Sequence, residues 1–196
     1  MVKAAEVPEG VEQPPIELTP RWRGRRRRVH HNPDGSRAFV PCSTEIGHNV
    51  IIDPKAKIGE GVKLGNNSRV LHKAVVGNYC VLGTQAVVGM RTELGKRATL
   101  GPKVRIGRDT NVGEGVQVGR DTNVGDSCQL ARGIQIGAFC ELKNGIEIGE
   151  VAIIGNEVVV ENGVRLSSDV RISDGTRVNP REAKKANDEA AAYLNR

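Results

Sequence analysis

Two histidines, His48 and His72, are the side chains best suited to acid–base chemistry in the regularly patterned part of this 196-residue sequence. Each lies two residues after an aliphatic residue, at a point where glycine, asparagine and aspartate indicate a bend. A neutral imidazole can accept a proton from a hydroxyl or an amine, which is the task of a general base. Either histidine could equally be a solvent-facing bend residue without a chemical role.

A basic segment is the second feature with chemical potential. It contains six arginines and no acid: Arg21, Arg23, Arg25, Arg26, Arg27 and Arg28. This run contributes much of the net charge of +6. It is either a solvated arm, which keeps the protein soluble or pairs with acidic residues of a neighbouring subunit, or a contact for nucleic acid, anionic lipid or a phosphorylated ligand. Trp22 is the one aromatic residue in the run, which gives little support for a base-stacking surface.

The element that must position the two histidines is a strict six-residue repeat. An Ile, Leu or Val recurs at every sixth position from Ile46 to Val178, and 15 of these 23 anchors are followed directly by glycine. Four residues after each anchor, from Val50 to Thr176, stands only Ser, Thr, Ala, Cys, Val or Ile. A helix or an ordinary strand would show a shorter period. A period of six predicts short strands separated by bends and stacked as a solenoid.

Three such strands would close a triangular coil of eighteen residues, so the 23 hexads predict seven to eight coils. Each face would be a parallel sheet, with about 4.8 Å between coils. We predict an extended or disordered basic arm at residues 1–39, a β-helix at 40–179 and a C-terminal helix at 180–196. Asn179 followed by Pro180 indicates the start of that helix, which would cover the last coil.

The repeat resembles that of the hexapeptide-repeat family. In that family each hexad has an aliphatic residue, a glycine, two variable residues, a small residue and one more variable residue. The resemblance covers about two thirds of the chain and implies an all-β fold, the left-handed parallel β-helix. The handedness comes from the family, because six-residue spacing alone does not determine it. Members of the family typically form trimers with the active site in the cleft between adjacent prisms, so the resemblance also implies a homotrimer.

The segment Val70–Leu82 is similar to the region around the catalytic histidine of hexapeptide acyltransferases that modify nucleotide sugars. The resemblance implies that His72 is a general base, acting on a sugar hydroxyl or a small amine as it attacks an acyl thioester. Acetyl-coenzyme A or an acyl-carrier thioester would be a co-substrate, with no permanently bound cofactor. Lys73 departs from the family, which commonly has Asp or Asn there to orient the imidazole. The family's carbonic anhydrases need three histidines around zinc, and the repeat has two, so no metal site is predicted.

The outward positions just before the anchors carry three further patterns. Val75, Val81 and Val87 would form an apolar band around one coil, explained either by strand propensity or by burial between subunits. An amide series suits stacked side-chain hydrogen bonds: Asn111, Gln117, Asn123, Gln129 and Gln135. Arg165, Arg171 and Arg177 either form a solvated band or hold an anionic group such as the phosphates of coenzyme A.

The cysteines and the absence of long apolar runs predict the cellular location. Cys80, Cys128 and Cys140 fall at inward small positions of their hexads, and Cys42 precedes the repeat, so neither disulfides nor a metal site is indicated. No apolar run is long enough for a signal peptide or a membrane span. A reducing, cytoplasmic location is therefore predicted.

Two functions remain open at this stage. The segment around His72 favours an acyltransferase that acts on a sugar or small amine. The repeat contains no long inserted loop of the kind that closes over substrate in many enzymes of the family, which favours a non-catalytic solenoid scaffold or binding protein with the basic arm as its contact. The oligomeric state, together with the position of His72 relative to a neighbouring subunit, would distinguish the two.

Overall fold

The computed structural model describes residues 26–194 and shows a parallel β-helix, as the repeat predicts. Its 23 two-residue strands stack into three parallel sheets of eight, seven and eight strands. Each inner strand pairs with the strands eighteen residues before and after it, so that Val88 lies between Val70 and Ile106. The predicted seven to eight coils are confirmed, and neither a helix nor a long loop interrupts residues 45–178.

Two longer strands, β1 (Arg27–His31) and β2 (Arg37–Pro41), precede the solenoid, and one helix, α1 (Pro180–Leu194), follows it. The solenoid strands are β3 (Glu45–Ile46), β4 (Ile51–Ile52), β5 (Lys57–Ile58), β6 (Lys63–Leu64), β7 (Arg69–Val70), β8 (Val75–Val76), β9 (Val81–Leu82), β10 (Val87–Val88), β11 (Glu93–Leu94), β12 (Thr99–Leu100), β13 (Arg105–Ile106), β14 (Asn111–Val112), β15 (Gln117–Val118), β16 (Asn123–Val124), β17 (Gln129–Leu130), β18 (Gln135–Ile136), β19 (Glu141–Leu142), β20 (Glu147–Ile148), β21 (Ile153–Ile154), β22 (Val159–Val160), β23 (Arg165–Leu166), β24 (Arg171–Ile172) and β25 (Arg177–Val178).

The core is a column of aliphatic anchors and small residues along the axis of the solenoid. Leu100 and Ile106, at the middle of the chain, are 1% and 2% exposed, whereas the residues just before them face solvent. Glycine follows most anchors because successive coils lie very close there. A Cβ atom on Gly89 would lie 2.2 Å from the carbonyl oxygen of Gly107, in the next coil.

Residues 27–41 form an antiparallel hairpin that covers the N-terminal end of the solenoid. The sequence predicted residues 1–39 as an extended or disordered arm, and residues 27–39 depart from that prediction; residues 1–25 lie outside the described part of the chain. The reason is the exposed edge of the first coil. Ala38 and Val40 pack on the core, with 1% and 0% exposure, and the repeat pattern does not reveal this contact because the hairpin has a two-residue period.

An asparagine amide completes each end of the solenoid. Asn32 accepts a hydrogen bond from the backbone N–H of Ile52 at 2.8 Å and donates one to its carbonyl at 2.7 Å. At the other end, Asn187 of α1 accepts from the N–H of Ser167 and donates to the carbonyl of Arg165. Each side-chain amide takes the place of a peptide group of a further coil and satisfies one N–H and one carbonyl at the open edge.

The helix α1 begins as the sequence predicts. The side-chain oxygen of Asn179 accepts hydrogen bonds from the N–H groups of Arg181 and Glu182, and Pro180 occupies the first helical position. Ala183 of the helix is buried against the core. No helix among residues 26–194 is long and apolar enough to cross a membrane.

We expect Leu100→Asp to abolish cooperative folding, because an unpaired carboxylate would be buried in a dry interior at a cost of several kcal/mol. Thr99→Asp is the matched control, since Thr99 is the exposed neighbour on the same strand. Circular dichroism during thermal unfolding measures both. A melting curve of Leu100→Asp that matched wild type would contradict the inward position of Leu100.

Asn32→Ala should lower the free energy of unfolding by about 1–3 kcal/mol for each backbone group of Ile52 that loses its partner. The exposed Asn111 has no side-chain hydrogen bond among the described residues, so Asn111→Ala should change it by less than about 0.5 kcal/mol. Chemical denaturation measures the two differences. Equal effects would show that the Asn32 amide is not needed at the first coil.

Candidate functional site

His72 lies at the bend that follows strand β7, in the second coil of the solenoid. Its side chain is 40% exposed, so a solute can reach the ring. The carbonyl of His72 accepts a 3.0 Å hydrogen bond from the N–H of Arg91. Arg91 lies in the next coil, which stacks directly on the coil of His72. The backbone beneath the imidazole is therefore held by the regular packing of the solenoid.

Asp53 orients the imidazole from the preceding coil. The Nδ1 atom of His72 lies 3.3 Å from Oδ1 and 3.4 Å from Oδ2 of Asp53, whose side chain is 28% exposed. Asp53 is itself held in place, because its Oδ1 accepts a 2.8 Å hydrogen bond from the N–H of Lys55. The carboxylate that contacts the His72 ring thus lies nineteen residues earlier in the chain, in the preceding coil.

A sequence signal for Asp53 lies in the residues that directly follow the anchors. Among the first fourteen anchors, from Ile46 to Val124, only Ile52 and Val70 are not followed by glycine. Their successors, Asp53 and Leu71, are eighteen residues apart and stack on one corner. A carboxylate that replaces the usual glycine directly beneath a histidine hexad could have been recognised from this spacing.

The surroundings of the imidazole combine apolar and charged groups. One coil further along, Met90 stacks on the position of His72 and is 37% exposed. The next residue, Arg91, forms a bidentate ion pair with Asp109, with both contacts at 2.6 Å. The hydrogen bond from Arg91 holds the pKa of the Asp109 carboxyl below its usual range. The charge of Arg91 is thus paired with Asp109 in the next coil, at the same corner of the solenoid.

His48 does not join this site. It lies on a different corner in the first coil, exposed, with its backbone N–H bonded to the side chain of Asn66 at 2.9 Å. No group of three His, Cys, Asp or Glu residues in the described part of the chain could hold a metal ion.

The outward bands predicted from the sequence are distributed over all three sheets. Arg165, Arg171 and Arg177 lie on three different sheets and do not converge on one ligand. Arg165 pairs with Glu147, and Arg177 pairs with Glu161, each at 3.1 Å. The three valines also lie on separate sheets, with Val81 37% exposed and Val75 and Val87 half-buried.

The five amide residues are divided in the same way. Asn111 stacks on Gln129 in one sheet and Gln117 on Gln135 in another, while Asn123 lies on the third. Their side chains make no hydrogen bonds with one another, so the predicted ladder is not formed among the described residues. A shallow groove of about 620 Å³ is lined by Asn111, Gln129, Glu147 and Arg165, and His72 lies outside it.

Three cysteines are core residues with no part in the site. Cys80, Cys128 and Cys140 are buried, and their thiols donate to backbone carbonyls at 3.0 to 3.1 Å. Burial raises the pKa of each thiol, which disfavours the reactive thiolate. Cys42, before the first coil, is exposed.

Comparison with known proteins supports the interpretation of the repeat. Residues 43–78 and 55–89 match the family model described as bacterial transferase hexapeptide (six repeats). A comparison with curated sequences gives no match. Among solved structures, the chain is similar to the UDP-N-acetylglucosamine acyltransferase of Francisella novicida, with 20% identity and a TM-score of 0.50; the match covers 68% of this chain and 56% of that one.

Two further structures are similar at lower scores. The acetyltransferase domain of PglB from Neisseria gonorrhoeae, in complex with acetyl coenzyme A, shares 19% identity at a TM-score of 0.45, over 50% of each chain. PerB from Caulobacter crescentus, in complex with CoA and GDP-perosamine, shares 22% identity at a TM-score of 0.46, over 66% of this chain and 54% of its own. The present chain thus spans about half the length of these proteins, and the likeness concerns the fold.

Cys42 should react with a thiol reagent much faster than the other three cysteines in the native protein. The reason is that burial both blocks access to Cys80, Cys128 and Cys140 and raises the pKa of their thiols. Mass spectrometry after timed iodoacetamide treatment at mildly alkaline pH would count the modified sites, with a urea-unfolded sample as control. Rapid labelling of all four sites in the native protein would contradict the burial of these thiols.

Proposed function

We propose that this chain, which carries the hexapeptide repeat of the bacterial transferases, is an acyltransferase with His72 as its general base. The acyl group would pass from a coenzyme A or carrier-protein thioester to a hydroxyl or amine of a sugar or another small acceptor. The single observation that carries the proposal is the contact between the half-exposed imidazole and the carboxylate of Asp53, at 3.3 Å. A carboxylate on one ring nitrogen leaves the other nitrogen available for proton transfer.

The chemistry requires little else from the protein. With its Nδ1–H donated to Asp53, the imidazole can accept the proton of the acceptor through Nε2 as the acceptor oxygen or nitrogen attacks the thioester carbonyl. A carbon–oxygen or carbon–nitrogen bond then forms, and the carbon–sulfur bond breaks. The proton passes from the imidazolium to the departing thiolate, so the base is restored. Asp53 acts as a positioning residue that stabilises the transient imidazolium.

The proposal includes a homotrimer. His72 lies on a convex corner of a prism, beside the exposed Met90, and a cleft with a neighbouring prism would enclose the reacting atoms. The half-buried Val75 and Val87 lie on the two sheets that meet at the corner of His72. Exclusion of water by a neighbouring subunit would strengthen the contact between His72 and Asp53, because electrostatic interactions are stronger at low dielectric.

The proposed location is the cytoplasm, where thiols stay reduced. All four cysteines are free, and none of the three buried ones has another cysteine as its hydrogen-bond partner. No metal or permanently bound cofactor enters the proposal, because the acyl donor itself supplies the activated carbonyl.

A non-catalytic solenoid is the second candidate function, and one observation favours it. The 23 strands of the repeat follow one another without a loop that could close over a substrate. In that case the prism would be a rigid support, with its basic N-terminal region as the binding element.

His72→Ala should lower kcat/KM for acyl transfer by about 10²–10⁴, since that is the usual contribution of a general base. Asp53→Asn should give a smaller loss and His48→Ala none. The assay is release of free thiol from acetyl-coenzyme A with a panel of sugars and amines as acceptors.

The variants separate the competing explanations. A fully active His72→Ala variant would assign the chemistry to another residue. Absence of thiol release with every acceptor, together with no binding of coenzyme A in calorimetry, would favour the scaffold function. Thermal melting of each variant distinguishes loss of a catalytic group from loss of the fold.

A further inference from the structure

The N-terminal hairpin presents an outer face that the solenoid does not use. Arg27, Val29 and His31 of β1 point away from the coils, and β2 contributes Arg37 and Phe39 to the same face. In the register of the hairpin, Val29 lies opposite Phe39 and His31 lies opposite Arg37. Phe39 is 59% exposed and Val29 is 41% exposed, so an apolar pair stands in solvent between cationic residues.

The inner face of the hairpin explains why the hairpin folds. Ala38 and Val40 are buried, His30 Nε2 lies 3.0 Å from the carbonyl of Val50, and Arg28 donates to the carbonyl of Thr44 at 2.7 Å. These contacts, with those of Asn32, attach the hairpin to the first coil. The Phe39 ring adds nothing to these contacts, and its exposed surface is accessible to a partner.

The charges of this face are also unused. Along the solenoid, several basic side chains are paired with acids of the neighbouring coil, as Lys63 is with Glu45 and Lys143 with Glu161. Arg27 and Arg37 form no ion pair with any residue that the structure describes. Lys57, on the strand of the first coil that contacts β2, has no such pair either. The charges of Arg27 and Arg37 are therefore available to an anionic ligand.

We propose that the outer face of the hairpin, formed by Arg27, Val29, His31, Arg37 and Phe39, binds single-stranded nucleic acid. A base would stack on the Phe39 ring, and phosphates on either side would contact Arg27 and Arg37. Along the strands these two arginines are separated by four residues, or about 13 Å, with the aromatic ring between them. Sequence-tolerant binding of single strands combines these two elements, a ring for stacking and cations for the backbone.

The arrangement fits a single strand better than a polysulfated chain or a duplex. A polysulfated chain would be attracted by the arginines but has no flat base to cover the exposed ring. The bases of a duplex are stacked on one another and would not reach Phe39. In the sequence, four further arginines directly precede β1: Arg21, Arg23, Arg25 and Arg26. Stacking on Phe39 was not foreseeable from that run, because only the hairpin register places the ring beside Arg27 and Arg37.

The test measures binding of a fluorescein-labelled oligothymidylate by anisotropy, using the full chain at several salt concentrations. Phe39→Ala should weaken binding about tenfold or more, since stacking on an aromatic side chain contributes about 1–3 kcal/mol per base. The double variant Arg27→Ala/Arg37→Ala should reduce the slope of log affinity against log salt by about 1.4, or about 0.7 for each lost phosphate contact.

Matched controls are available at the far end of the molecule. Tyr193→Ala removes an aromatic side chain that is 82% exposed on α1, and Lys184→Ala/Lys185→Ala removes the same two charges from that helix. Both controls should bind like wild type. Heparin, which has charge but no bases, is the second ligand, and its affinity should be insensitive to Phe39→Ala.

Several outcomes would overturn the proposal. Unchanged oligothymidylate binding in Phe39→Ala, with equal losses for heparin and oligothymidylate in the arginine variant, would indicate a general polyanion site. Binding to vesicles with anionic lipids but not to the oligonucleotide would indicate a membrane contact. An equal loss in Lys184→Ala/Lys185→Ala would show that net charge alone drives binding. None of these results depends on acyl transfer, so nucleic-acid binding and acyltransferase activity are tested independently.

Discussion

The stacking of one coil on the next is the interaction on which the rest of this structure depends. A two-residue strand cannot satisfy its own backbone, and each inner one here is paired with strands eighteen residues before and after it. The same contact buries the aliphatic anchors, because no coil has a core of its own. Each coil is therefore stabilised by the coils on either side of it, and the first and last coils each have a neighbouring coil on one side only.

The two ends meet that deficiency with the same chemical group. Asn32 and Asn187 use a side-chain amide, which has the donor and acceptor of a peptide bond, to pair with the open edge of the first and last coils. Around each amide, a hairpin or a helix covers the exposed core. An open sheet edge is prone to pair with another molecule, and this capping occupies part of that edge. The hairpin can then carry an exposed outer face because its inner face already secures it.

Stacking likewise creates the candidate site. Residues far apart in sequence become neighbours when they are close to eighteen positions apart, which places Asp53 against His72 and Arg91 against Asp109. Such pairs are exposed, and surface ion pairs contribute little to stability. Their value is in geometry, because a regular scaffold holds both partners without needing a dedicated loop. For His72 and Asp53, that geometry is the arrangement expected of a base and its positioning group.

The sequence by itself determined the coil number, the inward residues, the bends and the start of α1, since a period of six from Ile46 to Val178 admits one way of burying the anchors. It also singled out His72. The tertiary structure decided three things that the period does not contain. It recruited Asp53 across coils and divided the arginine and amide bands among three sheets. It also folded residues 27–41 into a hairpin that brings Phe39 beside Arg27 and Arg37. The physical reason is that a repeat encodes contacts at its own spacing, whereas side-chain pairing across coils and the covering of an open end depend on which groups meet in space.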